Sequence, residues 1–305
     1  MTERPTEARH PHSDGLHARD GQVVLGQVLA AQIAALSSVE PAIPALETAA
    51  QRAAKALQSG HKVAYAGAGS AGLMALADAL ELAGTFGIPP QQTPVLFAGG
   101  TAALLHMTGG VEDDPALAAA DLHQHQIGAG DVVICVSASG GTPYTLAVAK
   151  GAKAAGATVI GIANVPHSAL LLCADLAIFL DTGPEVVTGS TRMGAATAQK
   201  VALNMVSVRL GILLGHVQDG YMVNVIADNA KLVDRAARIV SALSGQGIDH
   251  ARAALTQTNG AVKPAVLVAK GATPDQAARL LKDSGGVLGP TLAAISATGT
   301  DLHRE

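Results

Sequence analysis

The sequence predicts a doubly wound α/β fold: a five-stranded parallel sheet, preceded by N-terminal helices and followed by a small helical module. Three observations predict it. Five short apolar runs alternate with helix-periodic segments, as in βαβ chains. Several strand-to-helix junctions carry glycine and hydroxyl residues. Hydrophobic residues make up 49% of the 305 and charged residues only 14%, which suits a tightly packed layered core. Aromatics at 2% and a net charge of −4 argue against a nucleic-acid partner, which calls for basic and stacking surfaces.

Residues 1–20 form a polar arm bearing His10, His12 and His17. It has no apolar core of a signal peptide, and its histidines lack the companions of a metal site. From Gly21 to Gly60 the pattern is helical, interrupted near Pro41. Lys62–Ala66 reads as the first strand, running into Gly67-Ala-Gly-Ser-Ala-Gly72 and a helix over Leu73–Leu82. This layout places an anion at a helix N-terminus. The match to G-x-G-x-x-G is weak as a dinucleotide signal, because the next strand, Pro94–Ala98, ends in Gly99-Gly100 where an acidic residue is wanted.

Asp131–Val136 is apolar enough to be buried on both faces. It leads into Ser137-Ala-Ser-Gly-Gly-Thr-Pro-Tyr144, in which Thr142 is placed to cap a helix that accepts Pro143. Strands over Thr158–Ala163 and Leu176–Leu180 follow, separated by a short helix near Ser168–Leu172. Then comes Glu185-Val-Val-Thr-Gly-Ser-Thr-Arg-Met193, ahead of an apolar helix over Ala195–Val217. This third glycine-and-hydroxyl loop is expected to aim N–H groups and hydroxyls at an anion. Asn229 opens another helical stretch, Ser244-Gly-Gln-Gly247 reads as a hinge, and Thr273-Pro-Asp-Gln276 forms a capping box. The expected divisions are an arm with helices over 1–47, a sheet domain over 48–243 and a helical module over 244–305.

Three such loops on a parallel sheet, without a P-loop lysine, resemble the sugar isomerase (SIS) domain, which binds phosphosugars. The resemblance narrows on Glu185–Met193 with Thr197-Ala-Gln-Lys200 and Leu203-Asn-Met205, on Ala138-Ser-Gly140 with Thr142-Pro-Tyr144, and on Asp78-Ala79, Glu81 and Thr85-Phe-Gly87. Ala98-Gly-Gly100, Glu112-Asp-Asp114, Met222-Val223, Asn229-Ala-Lys-Leu232 and Thr2-Glu3 extend it over nearly the whole chain. These stretches are similar to the N-acetylmuramic acid 6-phosphate etherase family.

That family removes a lactyl ether, so the resemblance implies a lyase that needs no cofactor and no metal. Glu81 matches the position of the acid that protonates the departing oxygen, and Glu112 that of the base that takes the C2 proton. Two carboxyls in opposite roles need different surroundings. Glu81 stands between Leu80 and Leu82, an expected apolar setting, and Glu112 beside Asp113 and Asp114. Without the family, Glu81 is equally a helix-end carboxylate and Glu112 a solvated turn or a helix cap. Gly69, Ser70, Ser137, Ser139, Gly140, Thr142, Ser190, Thr191 and Arg192 are the implied phosphosugar contacts; simple helix capping is the alternative for the hydroxyls. The chain departs from the family's basic loop residues at Leu73, Gly141 and Gly194, leaving Arg192 to orient an acidic group or brace Glu185. A phosphosugar sensor without catalysis and an aldose–ketose isomerase are the competing functions.

The apolar helices imply a homodimer. Cys135 and Cys173 lack partners at metal-ligand spacing, which suits a reducing cytoplasm. Ala169–Leu180 is too short to span a membrane.

Overall fold

A computed structural model describes residues 5–107, 109–227 and 229–298; Thr2-Glu3 lies outside them. The elements run, in order, α1 (Gly21–Leu36), α2 (Ile43–Gln58), β1 (Val63–Gly67), α3 (Gly69–Phe86), β2 (Val95–Phe97), α4 (Gly100–Leu105), α5 (Pro115–Gln124), β3 (Val132–Val136), α6 (Pro143–Ala154), β4 (Thr158–Ala163), α7 (Ala169–Cys173), β5 (Leu176–Phe179) and α8 (Gly194–Leu213). A two-residue hairpin follows, β6 (Val217–Gln218) with β7 (Tyr221–Met222). Among the described residues five helices follow: α9 (Ala230–Ser244), α10 (Ile248–Gln257), α11 (Val262–Ala269), α12 (Pro274–Asp283) and α13 (Leu288–Thr298).

The sheet has the order β2-β1-β3-β4-β5 and every pairing is parallel. Alternate residues enter opposite faces. Ala64, Ala66, Val133, Cys135 and Val159 pack on one side with Val148 and Leu170. Val63, Tyr65, Ile134, Ile160 and Ile162 are buried too, so the inner strands β1, β3 and β4 are covered on both faces, whereas β5 at the edge exposes Ala177. Each fully buried Ile or Leu contributes about 1.5–3 kcal/mol. Successive strands are added on one side of β1 for β2 and on the other for β3 to β5, so the strand order reverses between β1 and β3, the switch point at which a doubly wound sheet opens a crevice at its carboxyl edge.

The stretch Gly21–Gln58 is long and apolar enough by composition to cross a membrane. A 3-10 turn over Ser37–Ala42, containing Pro41, divides it into two helices of 16 residues each, each shorter than the roughly 20 residues a span needs.

The chain divides into two compact units. The first comprises residues 1–80 and 90–209, the second 81–89 and 210–305. The second has its own core, formed by Ala236, Ile239 and Val240 of α9, Ala251 and Leu255 of α10, and Ala265 to Val268 of α11. Ser244–Gly247, expected to be a hinge, therefore lies inside this unit. Gly245 is the left-handed C-cap of α9, a turn between two helices that share a core. The capping box at Thr273 forms as expected, with Thr273 accepting from the Gln276 amide and Gln276 from that of Thr273.

Candidate active site

The loops after β1, β2 and β3 meet the crevice at the sheet's carboxyl edge. In the first loop, Gly69 adopts φ +53°, and a side-chain carbon built there would fall 2.6 Å from Glu112 Oε1. Only glycine combines that backbone with that approach. Gly67 and Gly72 are equally constrained, since a carbon added to Gly67 would meet Gly72 Cα at 2.8 Å. The glycines of this loop thus bring strand and helix together and make room for a carboxylate. Ser70, in the first turn of α3, is half-buried.

Glu112 sits in a 3-10 turn between β2 and α5. Capping of α5 falls to Asp114, whose carboxylate accepts from the Ala116 amide at 2.8 Å. Glu112 is half-buried and accepts no hydrogen bond among the described residues. Its pKa is raised above the ordinary glutamate range, first by burial and then by the charge of Asp113. A carboxylate held in that way is a stronger proton acceptor than a solvated one.

The second loop is a hydroxyl cluster. Ser137 Oγ lies 2.9 Å from Thr142 Oγ1 and 3.4 Å from Ser139 Oγ, and accepts from the Gly140 amide at 3.1 Å. Ser139 Oγ accepts from the Gly141 amide. Gly140 is left-handed, φ +60°, and any side chain there would run into Ser168. Thr142 holds the N-cap position of α6 but its side chain makes no capping bond; the hydroxyl turns to Ser137 instead, a correction to the expected cap.

The third loop departs further from expectation. Glu185 is buried, and its two carboxylate oxygens accept from the Gly194 and Ala195 amides, each at 2.9 Å. The first N–H groups of α8 are therefore satisfied by the chain's own carboxylate, and no external anion takes that place. The expected brace between Arg192 and Glu185 does not form, and Arg192 is exposed. Ser190 and Thr191 are half-buried at the same turn. The N-terminal arm packs on this loop: Ser13 Oγ donates to the Val186 carbonyl at 2.7 Å.

Glu81 belongs to the second unit. It is exposed, Leu82 beside it is buried and Leu80 is 67% exposed. The apolar setting expected on both sides is thus one-sided in the single chain, because successive helix positions point about 100° apart. Gly69, Ser70, Glu112 and the Ser137–Thr142 cluster all belong to the first unit, and the strands that lead into the first and second loops pair up to Gly67 and Val136.

Two buried polar networks stand behind the loops. Asp78 accepts from Asn204 Nδ2 at 2.7 Å, Ser207 Oγ at 2.9 Å and Tyr65 Oη at 3.1 Å, tying β1, α3 and α8. Asn164, at the end of β4, donates to the Leu180 carbonyl and accepts from Gln199 Nε2 at 2.8 Å. Asp78, Gln199 and Asn204 stand in stretches that match the family, but nothing in the sequence pairs them with Tyr65, Asn164 or Ser207.

A parallel sheet in this order, with hydroxyl loops at its switch point, defines a phosphosugar-binding α/β domain of the sugar isomerase type. Residues 29–164 match the SIS domain. A phosphoheptose isomerase from Francisella tularensis shares the fold at a TM-score of 0.50 and 19% identity, over 64% of this chain and 98% of its own. The particular family is given by closer relatives. An N-acetylmuramic acid 6-phosphate etherase from Deinococcus radiodurans is 41% identical over 97% of this chain and 98% of its own length. One from Streptomyces coelicolor is 42% identical over 85% and 83%. The chain belongs to the N-acetylmuramic acid 6-phosphate etherase family.

Proposed function

We infer that the chain is a carbon–oxygen lyase that removes the D-lactyl ether of N-acetylmuramic acid 6-phosphate or a close analogue, giving N-acetylglucosamine 6-phosphate and D-lactate, a step of cell-wall sugar recycling. Family membership supports the reaction, and one observation carries its assignment to this site: the half-buried Glu112 carboxylate resting on Gly69 beside the hydroxyl cluster. Glu112 takes the C2 proton of the open-chain aldehyde. Glu81 protonates the ether oxygen as the C3–O bond breaks and lactate leaves. Water adds at C3 of the unsaturated aldehyde and C2 regains a proton, which restores the sugar. Ser70, Ser137, Ser139 and Thr142, with Gly69 and Gly140 opening the backbone, hold the phosphosugar; Ser190, Thr191 and Arg192 border it.

The working form is a homodimer in the reducing cytoplasm. On α1, Leu25 and Leu29 are 70% and 61% exposed, and Val23 and Ile33 share that exposure; a second copy of the chain is the occupant proposed for this surface. The free thiols Cys135 and Cys173 suit that compartment. The function is tested by incubating the protein with N-acetylmuramic acid 6-phosphate and assaying D-lactate. Release abolished by Glu112→Gln and by Glu81→Gln supports the reading; tight sugar-phosphate binding with no lactate from the unaltered chain favours a sensor instead.

A further inference from the structure

We propose that the helical unit holds a second ligand site, a pocket built around Lys263 that takes a small anion through phosphate or carboxylate oxygens. The pocket has a volume of about 480 Å³ and is walled by Asn224, Val225, Lys263, Pro264, Leu281 and Gly286 among others. All of them lie in the second unit, whereas the hydroxyl loops lie in the first.

Lys263 is half-buried. Its ammonium donates once, to the Gly286 carbonyl at 2.8 Å, and an ammonium has three protons to give. Among the described residues no carboxylate pairs with it. A cation drawn out of water without a counter-charge is unfavourable, and burial accordingly holds the Lys263 pKa below the usual lysine range. His216, which feels the Lys263 charge, offers no compensation: its pKa is lowered to about 4, first by burial and then by that charge. At the same wall α11 begins without a side-chain cap, and the Val262 and Lys263 amides find no backbone acceptor among the described residues. Val262 and Lys263 both line a cavity whose wall includes no carboxylate among the described residues, while Val225, Pro264 and Leu281 supply an apolar flank for a short carbon skeleton.

The test is lysine acetylation of the full chain, mapped by peptide mass spectrometry, in chloride, inorganic phosphate and D-lactate at equal ionic strength. An occupied site protects by 1 + [L]/Kd, about tenfold at roughly ten times Kd, at Lys263 alone; the exposed Lys150 and Lys282 serve as references. Protection by phosphate or by lactate tells which anion the pocket takes. Equal rates in all three solutions, or equal slowing at Lys150, overturn the site. So does protection that disappears in a Ser139→Ala, Thr142→Ala double variant, since it then belongs to the hydroxyl loops. As a second measurement, the anion-induced rise in Tm of that double variant is kept on adding Lys263→Arg and lost on adding Lys263→Met; a rise that survives Lys263→Met contradicts the proposal.

Discussion

The second and third loops are built from the same residues, glycine with serine and threonine before a helix, yet they do different things. In the second, Ser137, Ser139 and Thr142 bond mainly to one another and to the loop's amides, which keeps their hydroxyls clustered at the sheet's edge. In the third, Glu185 turns back and closes the N-terminus of α8. Composition announces that an anion sits at a loop; it does not say whether the anion comes from solution or from the chain. The second loop leaves its hydroxyls for the binding role proposed for it, and Glu185 of the third is taken up in closing α8.

Substitutions separate these roles. The largest effect belongs to Glu112: Glu112→Gln lowers kcat/KM for lactate release by about 10²–10⁴-fold, the typical contribution of a positioned base, with an unchanged Tm. Ser139→Ala and Glu185→Ala then split the two loops. The first removes one hydrogen bond to a charged group, about 1.5–3 kcal/mol, and raises KM roughly tenfold to a hundredfold while Tm stays fixed. The second strips two amides of α8 of their acceptor, costs about 3 kcal/mol, and lowers Tm by roughly 6–12 °C with KM nearly unchanged. A Glu185→Ala protein that melts normally but binds substrate poorly breaks the distinction. The smallest effect is that of Asp113→Asn. Burial and the Asp113 charge both raise the Glu112 pKa, and the base must be deprotonated to act. The acidic limb of the pH profile of kcat/KM therefore lies above that of an ordinary glutamate, and removing the Asp113 charge moves it to lower pH.

The sheet was legible because its signal is local. Thr158–Ala163 is a strand in sequence and structure alike, and the other four differ at their ends by one or two residues, since a strand buried on both faces leaves an uninterrupted apolar run. The glycines of the first two loops were legible for a similar reason, as each answers a steric demand within a few residues. The Glu185 cap was not, because a glutamate nine residues ahead of a helix has no fixed spacing to betray it. Asp78 was singled out only as a family match; its partners Asn204 and Ser207 lie 126 and 129 residues on, beyond any periodicity. The limits of the second unit were obscure in the same way. Its core joins α9 to α10 and α11 across Gly245, and a glycine that caps a helix looks in sequence like one that hinges a domain.

The central claim is that Glu112 removes the C2 proton in an elimination followed by hydration. Turnover of N-acetylmuramic acid 6-phosphate in D₂O enriched in ¹⁸O tests it most directly, with the N-acetylglucosamine 6-phosphate analysed by mass spectrometry and NMR. Deuterium at C2 and ¹⁸O at C3 are expected in the product of the unaltered chain, and neither label forms with Glu112→Gln. Lactate released with the original hydrogen still on C2 would contradict it, because the ether would then have been cleaved without a base at that carbon.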